Sequence, residues 1–290
     1  MKTRLTLIVL LLLTLVLAAC QPQGAPVPQD PLEAVKTIAD KQNEVKSQHI
    51  DLNLALQLKL DGLTGDAAQG AALFKNFKGG VTLSGDVDSA TENFNLSGNV
   101  DLGPLTALVA QGEDKLTFDL VKVGEKMYTK TNVGTDANTW NETDAPKATT
   151  EVTKSNPLAP EMVMSLLKQS SKAEKLADEK IGDADTYHYK VTLDPVALLS
   201  SISDLAASTG NGASIDQAQM DQAKQALKDS TLEIELWAGK SDLLLRQVKA
   251  HFNLNMTNIP DQPGATALID LTLQDTISKI NQPVTITAPK

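Results

Sequence analysis

The chain has 290 residues, and its 26 Lys and Arg against 36 Asp and Glu give a formal net charge of −10. An acidic balance without basic runs argues against nucleic-acid binding and against electrostatic attachment to anionic lipid head groups. Aromatic residues make up only 3% of the chain, which argues against stacking platforms for bases or sugars. The core must therefore be built mainly from aliphatic side chains.

The first twenty residues predict export and lipid attachment. Lys2 and Arg4 precede an apolar run over 5–17, which is typical of a secretion signal and too short to span a bilayer comfortably. The signal is predicted to cover 1–19. Small residues directly before Cys20, the only cysteine, resemble the lipobox of bacterial lipoproteins. That resemblance implies that Cys20 is lipidated and anchors the mature chain to the cell membrane on its extracytoplasmic side. The alternative is ordinary signal cleavage, which would leave Cys20 as an unmodified thiol.

A proline-rich segment follows and is predicted to be a tether over 20–29. Its three prolines lie among Gln, Gly and Ala, a composition that favours polyproline II over a packed structure. At about 3.1 Å per residue such a segment would hold the folded part roughly 30 Å from the membrane. The folded part is predicted to be one domain over 30–290.

The domain is predicted to begin with an amphipathic helix. Asp30 is a suitable N-cap, Pro31 suits the first helical position and Glu33 suits the third. The apolar residues recur at helical spacing up to about residue 47, so one side of the helix should pack on an apolar surface. These residues are Leu32, Val35, Ile38, Ala39 and Val45.

From Ile50 onward the period of the apolar residues changes to two. Six apolar residues alternate with polar ones and Ala55 up to Leu60, which predicts a long half-buried strand. Shorter alternating runs separated by turn residues follow as far as Thr129. They predict an antiparallel meander with one apolar face. The runs are Val81 to Val87, Phe94 to Leu102, Leu116 to Leu120 and Met127 to Thr129.

The second half of the chain mixes strands with helices. A nearly all-apolar segment around Met162, Met164 and Leu167 is either a buried core helix or a soft lid, since methionine adapts to ligands of varied shape. A strand is predicted over 184–193, and two capped helices are predicted as an insertion over about 194–229. Strands are predicted for the remainder, the last of them over 284–287, and the turn residues Ala238 to Ser241 predict that the first two form a hairpin.

No catalytic or metal-binding pattern stands out. His49, His188 and His251 fall on the polar sides or edges of their strands, and no Cys, His or carboxylate lies at a spacing that would complete a metal site or activate a nucleophile. They are predicted to be solvated. Phosphate-binding loops, nucleophile elbows and zinc-protease motifs are absent. The sequence thus predicts no enzyme, no cofactor and no metal.

The order of parts resembles the LppX/LprG-type bacterial lipoproteins, which are similar in fold to the LolA/LolB lipoprotein-localisation factors. The match runs from the lipobox through the first helix and long strand to the segments Gly182–Tyr189, Glu235–Trp237 and Pro283–Pro289. The departure lies in the insertion, whose Gln- and Ala-rich second half has no counterpart in this match. The resemblance implies an α+β fold, in which a highly curved antiparallel sheet, a half-barrel, wraps around helices and encloses an apolar cavity for acylated lipids.

A wide sheet that is apolar on one face needs covering, and a lipid could supply the cover. The predicted function is carriage or transfer of an acylated lipid or glycolipid in the cell envelope, with a transport partner that the sequence does not identify. Met162, Met164 and Leu167 are predicted to lie at the cavity mouth. The predicted lining residues are Leu52, Leu54, Leu56, Leu83, Phe94, Leu96, Phe118, Tyr187, Leu236, Phe252 and Leu254.

Two other functions stay open at this point. The same fold with a filled core could serve as an envelope scaffold or as a sensor domain that binds protein partners. An envelope hydrolase would require a serine, a histidine and a carboxylate that converge in space.

Overall fold

A computed structural model describes residues 25–106, 115–145, 167, 172–195, 221–222, 224–225, 227–257, 262 and 264–290. The signal segment with Cys20, the methionines Met162 and Met164, and most of the predicted insertion lie outside these residues. Four residues of the predicted second insertion helix are helical, at positions 221, 222, 224 and 225.

The first helix, α1, spans Pro31–Lys41 and begins as predicted. The side chain of Asp30 accepts a hydrogen bond from the backbone N–H of Glu33 at 2.9 Å, and Pro31 occupies the first turn. The helix ends earlier than predicted, because a 3₁₀ turn over Gln42–Glu44 leads into the first strand at Ser47. Its buried side consists of Ala34, Val35, Ile38 and Ala39.

Removal of the α1 cap gives a first testable prediction. Asp30→Ala is expected to lower the free energy of unfolding by about 1 kcal/mol, because the N–H of Glu33 loses its side-chain acceptor. Urea denaturation followed by circular dichroism measures the change. Asp30→Ser is the matched control, since serine also caps helices. Equal losses in the two variants would contradict a capping role for this position.

Twelve strands form one antiparallel sheet within the described residues, in the order β6-β5-β4-β3-β2-β1-β12-β11-β10-β9-β7, with β8 paired to β9. The sheet is unclosed, and β6 and β7 are its edges. A short helix, α2 (Gly65–Gly70), follows β1. The strands are β1 Ser47–Asp61, β2 Asn76–Asp88, β3 Asn93–Asp101, β4 Leu116–Val123, β5 Lys126–Thr131, β6 Asn141–Asp144, β7 Lys172–Lys175, β8 Glu179–Ile181, β9 Ala184–Leu193, β10 Thr231–Gly239, β11 Leu245–Thr257 and β12 Thr266–Ser278.

The pairing register places the apolar residues of neighbouring strands on one face. Directly opposite residues of an antiparallel pair project to the same side of the sheet. Leu54 of β1 lies opposite Leu273 of β12 and Val81 of β2. In turn, Leu273 lies opposite Ala250 of β11. The predicted antiparallel meander with a single apolar face is confirmed.

The buried core lies where α1 covers β9, β10 and β11. The side chain of Gln42 donates to the backbone oxygen of Leu243 at 3.2 Å and accepts from the N–H of Leu245 at 3.0 Å, so it ties the end of the helix to the β10–β11 hairpin. The fully buried large side chains in this cluster include Ile38, Leu167, Tyr189, Val191, Leu232, Ile234 and Leu236.

The chain ends differ from the predictions. Ala25 donates to the backbone oxygen of Lys240 at 2.6 Å, and Ala25 and Val27 pack against the core. The second half of the predicted tether therefore lies on the domain, next to the β10–β11 hairpin. At the other end, the strand predicted over 284–287 is wrong. The chain leaves the sheet after β12, where Ser47 hydrogen-bonds the carbonyl of Gln282, and Pro283 has no N–H to give to a ladder.

Among the described helices, none combines the length and the apolar character needed to cross a bilayer.

Candidate functional site

The apolar face of the sheet has two parts with different burial. We call the apolar residues of β9, β10 and β11 beneath α1 the closed half. Leu232, Ile234 and Leu236 there are at most 1% exposed. We call ten half-buried apolar residues of β1 to β4 the open half. Leu54 and Phe77, on the same face of β1 and β2, are buried and are not included in it. The open half consists of Leu52, Leu56, Val81, Leu83, Phe94, Leu96, Val100, Leu116, Phe118 and Leu120.

Most predicted lining residues share this apolar face. The register of β1 to β4 brings Leu52, Leu56, Leu83, Phe94, Leu96 and Phe118 together in the open half. Tyr187, Phe252 and Leu254 are half-buried on the same face of β9 and β11.

Three predicted lining residues are covered instead. Leu236 is fully buried in the closed half, and Leu54 lies at the boundary with 9% exposure. Leu167, predicted at a cavity mouth, is 0% exposed and packs in the core cluster. The sequence shows only which side of a strand a residue occupies, whereas the docking of α1 decides what is covered. An enclosed apolar cavity with helices inside the sheet is not a feature of the described residues.

In the open half, a glycine allows an aromatic ring to lie directly against the strand backbone. Gly98 lies opposite Phe118, and a Cβ at this position would stand 2.8 Å from the Phe118 ring and 2.2 Å from the carbonyl oxygen of Thr82. A larger residue has no room there. The Phe118 ring thus lies against the backbone at Gly98. No side chain projects from Gly98, so this part of the face is apolar and not raised by a neighbouring side chain.

Asp275 is an acidic residue at an apolar position. It lies in β12 directly opposite Leu52 of β1 and Val248 of β11, so it projects from the apolar face. Its Oδ1 is buried and has no hydrogen-bond partner among the described residues. Burial, with a smaller contribution from the Asp51 carboxylate, raises the pKa of Asp275 from 3.8 to about 6. Sequence alternation contained this signal, because Asp275 interrupts the series of Ile269, Leu271, Leu273 and Ile277, but we did not predict a role for it.

An open surface depression of about 430 Å³ lies on the polar side of the sheet. Small polar side chains of β1, β2 and β3 form most of its lining, so it differs from the predicted apolar cavity. Two hydrogen bonds join lining side chains of neighbouring strands, from Ser84 Oγ to Asp51 Oδ1 at 2.6 Å and from Asn99 Nδ2 to Thr82 Oγ1 at 2.5 Å. The lining residues are Asp51, Leu52, Asn53, Thr82, Leu83, Ser84, Ser97, Gly98 and Asn99.

A serine, a histidine and carboxylates do converge next to this depression. His49 Nδ1 lies 2.6 Å from Asp86 Oδ1, and His49 Nε2 lies 3.4 Å from Ser84 Oγ. The Ser84 hydroxyl has a much shorter bond, to Asp51, so its proton is directed away from the histidine. These residues belong to β1 and β2, which are central in the sheet and use their backbone N–H groups in the ladders with their neighbours. The backbone of these strands therefore offers no free donors for an oxyanion, and the arrangement is that of a polar cross-strand network.

The solvated state predicted for the histidines is wrong for His188. It is 4% exposed and stacks on Trp237 at a centroid distance of 4.2 Å. His188 Nε2 lies 2.8 Å from Glu235 Oε2, and Trp237 Nε1 donates to Glu179 at 3.1 Å. β8 pairs along the edge of β9, and the side chain of Glu179 extends from that strand to Trp237 and to within 3.6 Å of His188 Nδ1. These neighbours come from other strands, so they leave no periodic signal in the sequence.

Each histidine also has a carboxylate neighbour that its sequence spacing does not reveal. His251 Nε2 lies 3.0 Å from Asp270 Oδ2, and this hydrogen bond holds the pKa of Asp270 below its usual value. These partners come from adjacent strands, so they are close in space and distant in sequence. Within the described part of the chain, no group of three or more His, Cys, Asp or Glu side chains is arranged to hold a metal ion.

Comparison with known proteins finds similarity at the level of structure. No protein-family model and no curated protein sequence matches the chain. Among solved structures, lipoprotein LppX from Mycobacterium tuberculosis aligns over 90% of this chain and 100% of its own, with 13% identity and a TM-score of 0.43. LprF from Mycobacterium bovis aligns over 88% of this chain and 96% of its own, with 15% identity and a TM-score of 0.42.

A third similar structure comes from Vibrio parahaemolyticus and is described as an outer membrane lipoprotein-sorting protein domain. It aligns over 88% of this chain and 95% of its own, with 10% identity and a TM-score of 0.24.

Proposed function

We propose that this protein is a membrane-anchored lipoprotein that binds the acyl chains of a lipid on the open half of its sheet and carries that lipid in the cell envelope. The single observation that supports the proposal most is the burial contrast on one continuous apolar face. The closed half is packed beneath α1, whereas the aliphatic side chains of the open half are only half-buried. Leu52, Leu56 and Val81 border the core cluster, and the other seven are not part of it.

The composition of the open half suits an acyl chain better than a protein surface. The open half consists of Leu and Val with Phe94 and Phe118, and Gly98 adds no side chain beside the Phe118 ring. Burial of apolar carbon is worth about 0.8 kcal/mol per methylene, so a chain of about sixteen carbons would gain on the order of 10 kcal/mol before the cost of ordering it. That gain is large enough for a carrier.

The N-terminus supports a location at the membrane. Lipidation of Cys20 would leave only residues 20–24 between the lipid and the point where Ala25 binds the β10–β11 hairpin. Five extended residues reach roughly 15 Å, so the hairpin end of the sheet would lie close to the bilayer surface. A carrier held this close could receive a lipid from the outer leaflet without leaving its anchor.

Native mass spectrometry of the protein purified from its own host tests the proposal. We expect a co-purifying acylated lipid in the wild type. Leu96→Lys places a charge on the open half and should reduce the bound fraction at least about tenfold, because a lysine among acyl carbons must stay hydrated. The matched control is Asn95→Lys, one residue away on the polar face, which should retain the lipid.

Two results would contradict the proposal. Lipid-free wild type, with no uptake from phospholipid vesicles, would indicate that other segments of the chain fill the open half and would favour the envelope scaffold or sensor. Equal lipid retention in Leu96→Lys and Asn95→Lys would place the lipid elsewhere on the protein.

A further inference from the structure

The position of Asp275 extends the proposed lipid site. Across the sheet it lies in a row of directly opposite residues, which we call the Asp275 row. From β10 to β2 this row consists of Leu236, Val248, Asp275, Leu52 and Leu83. Asp275 is the acidic member of an otherwise aliphatic row, and it stands where the closed half meets the open half.

The carboxylate of Asp275 is not satisfied by the protein groups around it. Its Oδ1 is buried without a hydrogen-bond partner in the described part of the chain. The flanking strands place Leu52 and Val248 beside it, and neither can donate a hydrogen bond. The charge whose field reaches it is the carboxylate of Asp51, on the opposite face of β1, which repels it. An unpaired buried acceptor is destabilising, so the packing of the core does not explain why an acidic residue occupies this position.

The geometry offers a ligand as the missing donor. An acyl chain on the open half would lie along Leu83 and Leu52, and the next residue in the row is Asp275. A hydroxyl or ammonium group at the polar end of that lipid would meet Oδ1 there. A carboxylate forms stronger hydrogen bonds than a neutral acceptor, and the burial of Oδ1 between apolar neighbours limits the competition from water.

We propose that Asp275 is the polar anchor of the site and that it selects acylated lipids that carry a hydrogen-bond donor next to the acyl chain. This inference rests on the proposed lipid-binding function and adds the chemical class of the ligand. Lipids without a hydrogen-bond donor, such as simple esters, should bind poorly because they leave the carboxylate buried and unpaired.

The test uses two probes with the same acyl chain, monooleoylglycerol, which has two hydroxyl groups, and methyl oleate, which has none. Each is titrated into the delipidated mature protein and the bound fraction is measured by native mass spectrometry. For the wild type we expect a preference for monooleoylglycerol of about tenfold, the size of one charge-assisted hydrogen bond. Asp275→Leu should abolish this preference while methyl oleate binds at least as well as before.

Asp275→Asn keeps the result interpretable if the leucine variant folds poorly. The amide oxygen still accepts a hydrogen bond but carries no charge, so the preference should fall only in part. Oleylamine separates an ammonium donor from a hydroxyl donor. Its binding should be lost as Asp275 is protonated on acidification, whereas that of monooleoylglycerol should fall only in part, as in Asp275→Asn.

The failure of this inference differs from the failure of the proposed function. If both probes bind and Asp275→Leu leaves their ratio unchanged, Asp275 is not an anchor, although the protein still binds lipid. If neither probe binds the wild type, both the lipid-binding function and the anchor are refuted.

Discussion

Leu236→Ala is expected to lower the free energy of unfolding by about 3 kcal/mol, within the range observed for leucine truncations in packed cores. Leu236 is 0% exposed and lies in β10 between Tyr189 of β9 and Val248 of β11. The truncation leaves a cavity beneath α1 that neighbouring strands, fixed in their ladders, cannot close. Urea denaturation monitored by circular dichroism measures the loss.

Leu83→Ala is the matched comparison, because it removes the same atoms from the same row of the sheet. Leu83 lies in the open half and is only half-buried. Less apolar area leaves water when it folds and no closed cavity forms, so the expected loss is about 1 kcal/mol. Equal losses at the two positions would mean that Leu83 is as tightly packed as Leu236, and the open half would then not be available to a lipid.

The sequence was sufficient for features that depend on neighbours along the chain. Alternation over residues 50–60 located β1 and its apolar side, and the Asp30-Pro31 pair located the start of α1. The turn after Ala238 marked the β10–β11 hairpin. In each case the signal comes from local chemistry, such as a cap, a turn or a two-residue period, and survives folding unchanged.

The features that the sequence did not predict depend on which elements meet in space. The alternation in β10 and in β2 is similar, yet Leu236 is covered by α1 and Leu83 is not. His188 is on the polar side of β9, as alternation indicates, but Trp237 of β10 stacks on its ring and the Glu179 side chain of β8 lies close to it, so it is buried. The depression on the polar face arises because three adjacent strands each place small residues there, a coincidence visible only after the register is known.

Asp275 is intermediate between these cases. Alternation over β12 places it on the apolar face, so the sequence contained the anomaly. Whether such a residue is a bulge, an edge position or a buried carboxylate depends on its cross-strand partners. The pairing of β12 with both β1 and β11 excludes an edge and puts aliphatic residues on both sides.

Asp275→Asn is expected to stabilise the lipid-free protein at neutral pH. The folded-state pKa of about 6 lies above the ordinary value of 3.8, so the folded state disfavours the charged form. The folded protein binds the proton more tightly than the unfolded chain, and stability therefore falls as the pH rises from about 4 to above 6. A shift of about two units corresponds to roughly 3 kcal/mol at pH 7.5. The asparagine variant escapes this penalty, so its advantage should approach that value at pH 7.5 and be small at pH 4.

Asp270→Asn, on the same strand, is the control, because its expected effect on stability at pH 7.5 has the opposite sign. Asp270 lies on the polar face, where His251 and Asn253 hydrogen-bond its carboxylate and its pKa is lowered. Its charged form stabilises the fold above the unfolded pKa, and this contribution is lost as the pH falls through the lower folded value. The substitution should therefore destabilise the protein at pH 7.5. Denaturation of both variants across pH 4 to 8 makes the comparison. If the difference in stability between Asp275→Asn and the wild type does not vary with pH, the Asp275 carboxyl is solvated, and the apolar face has no buried charge for a lipid to neutralise.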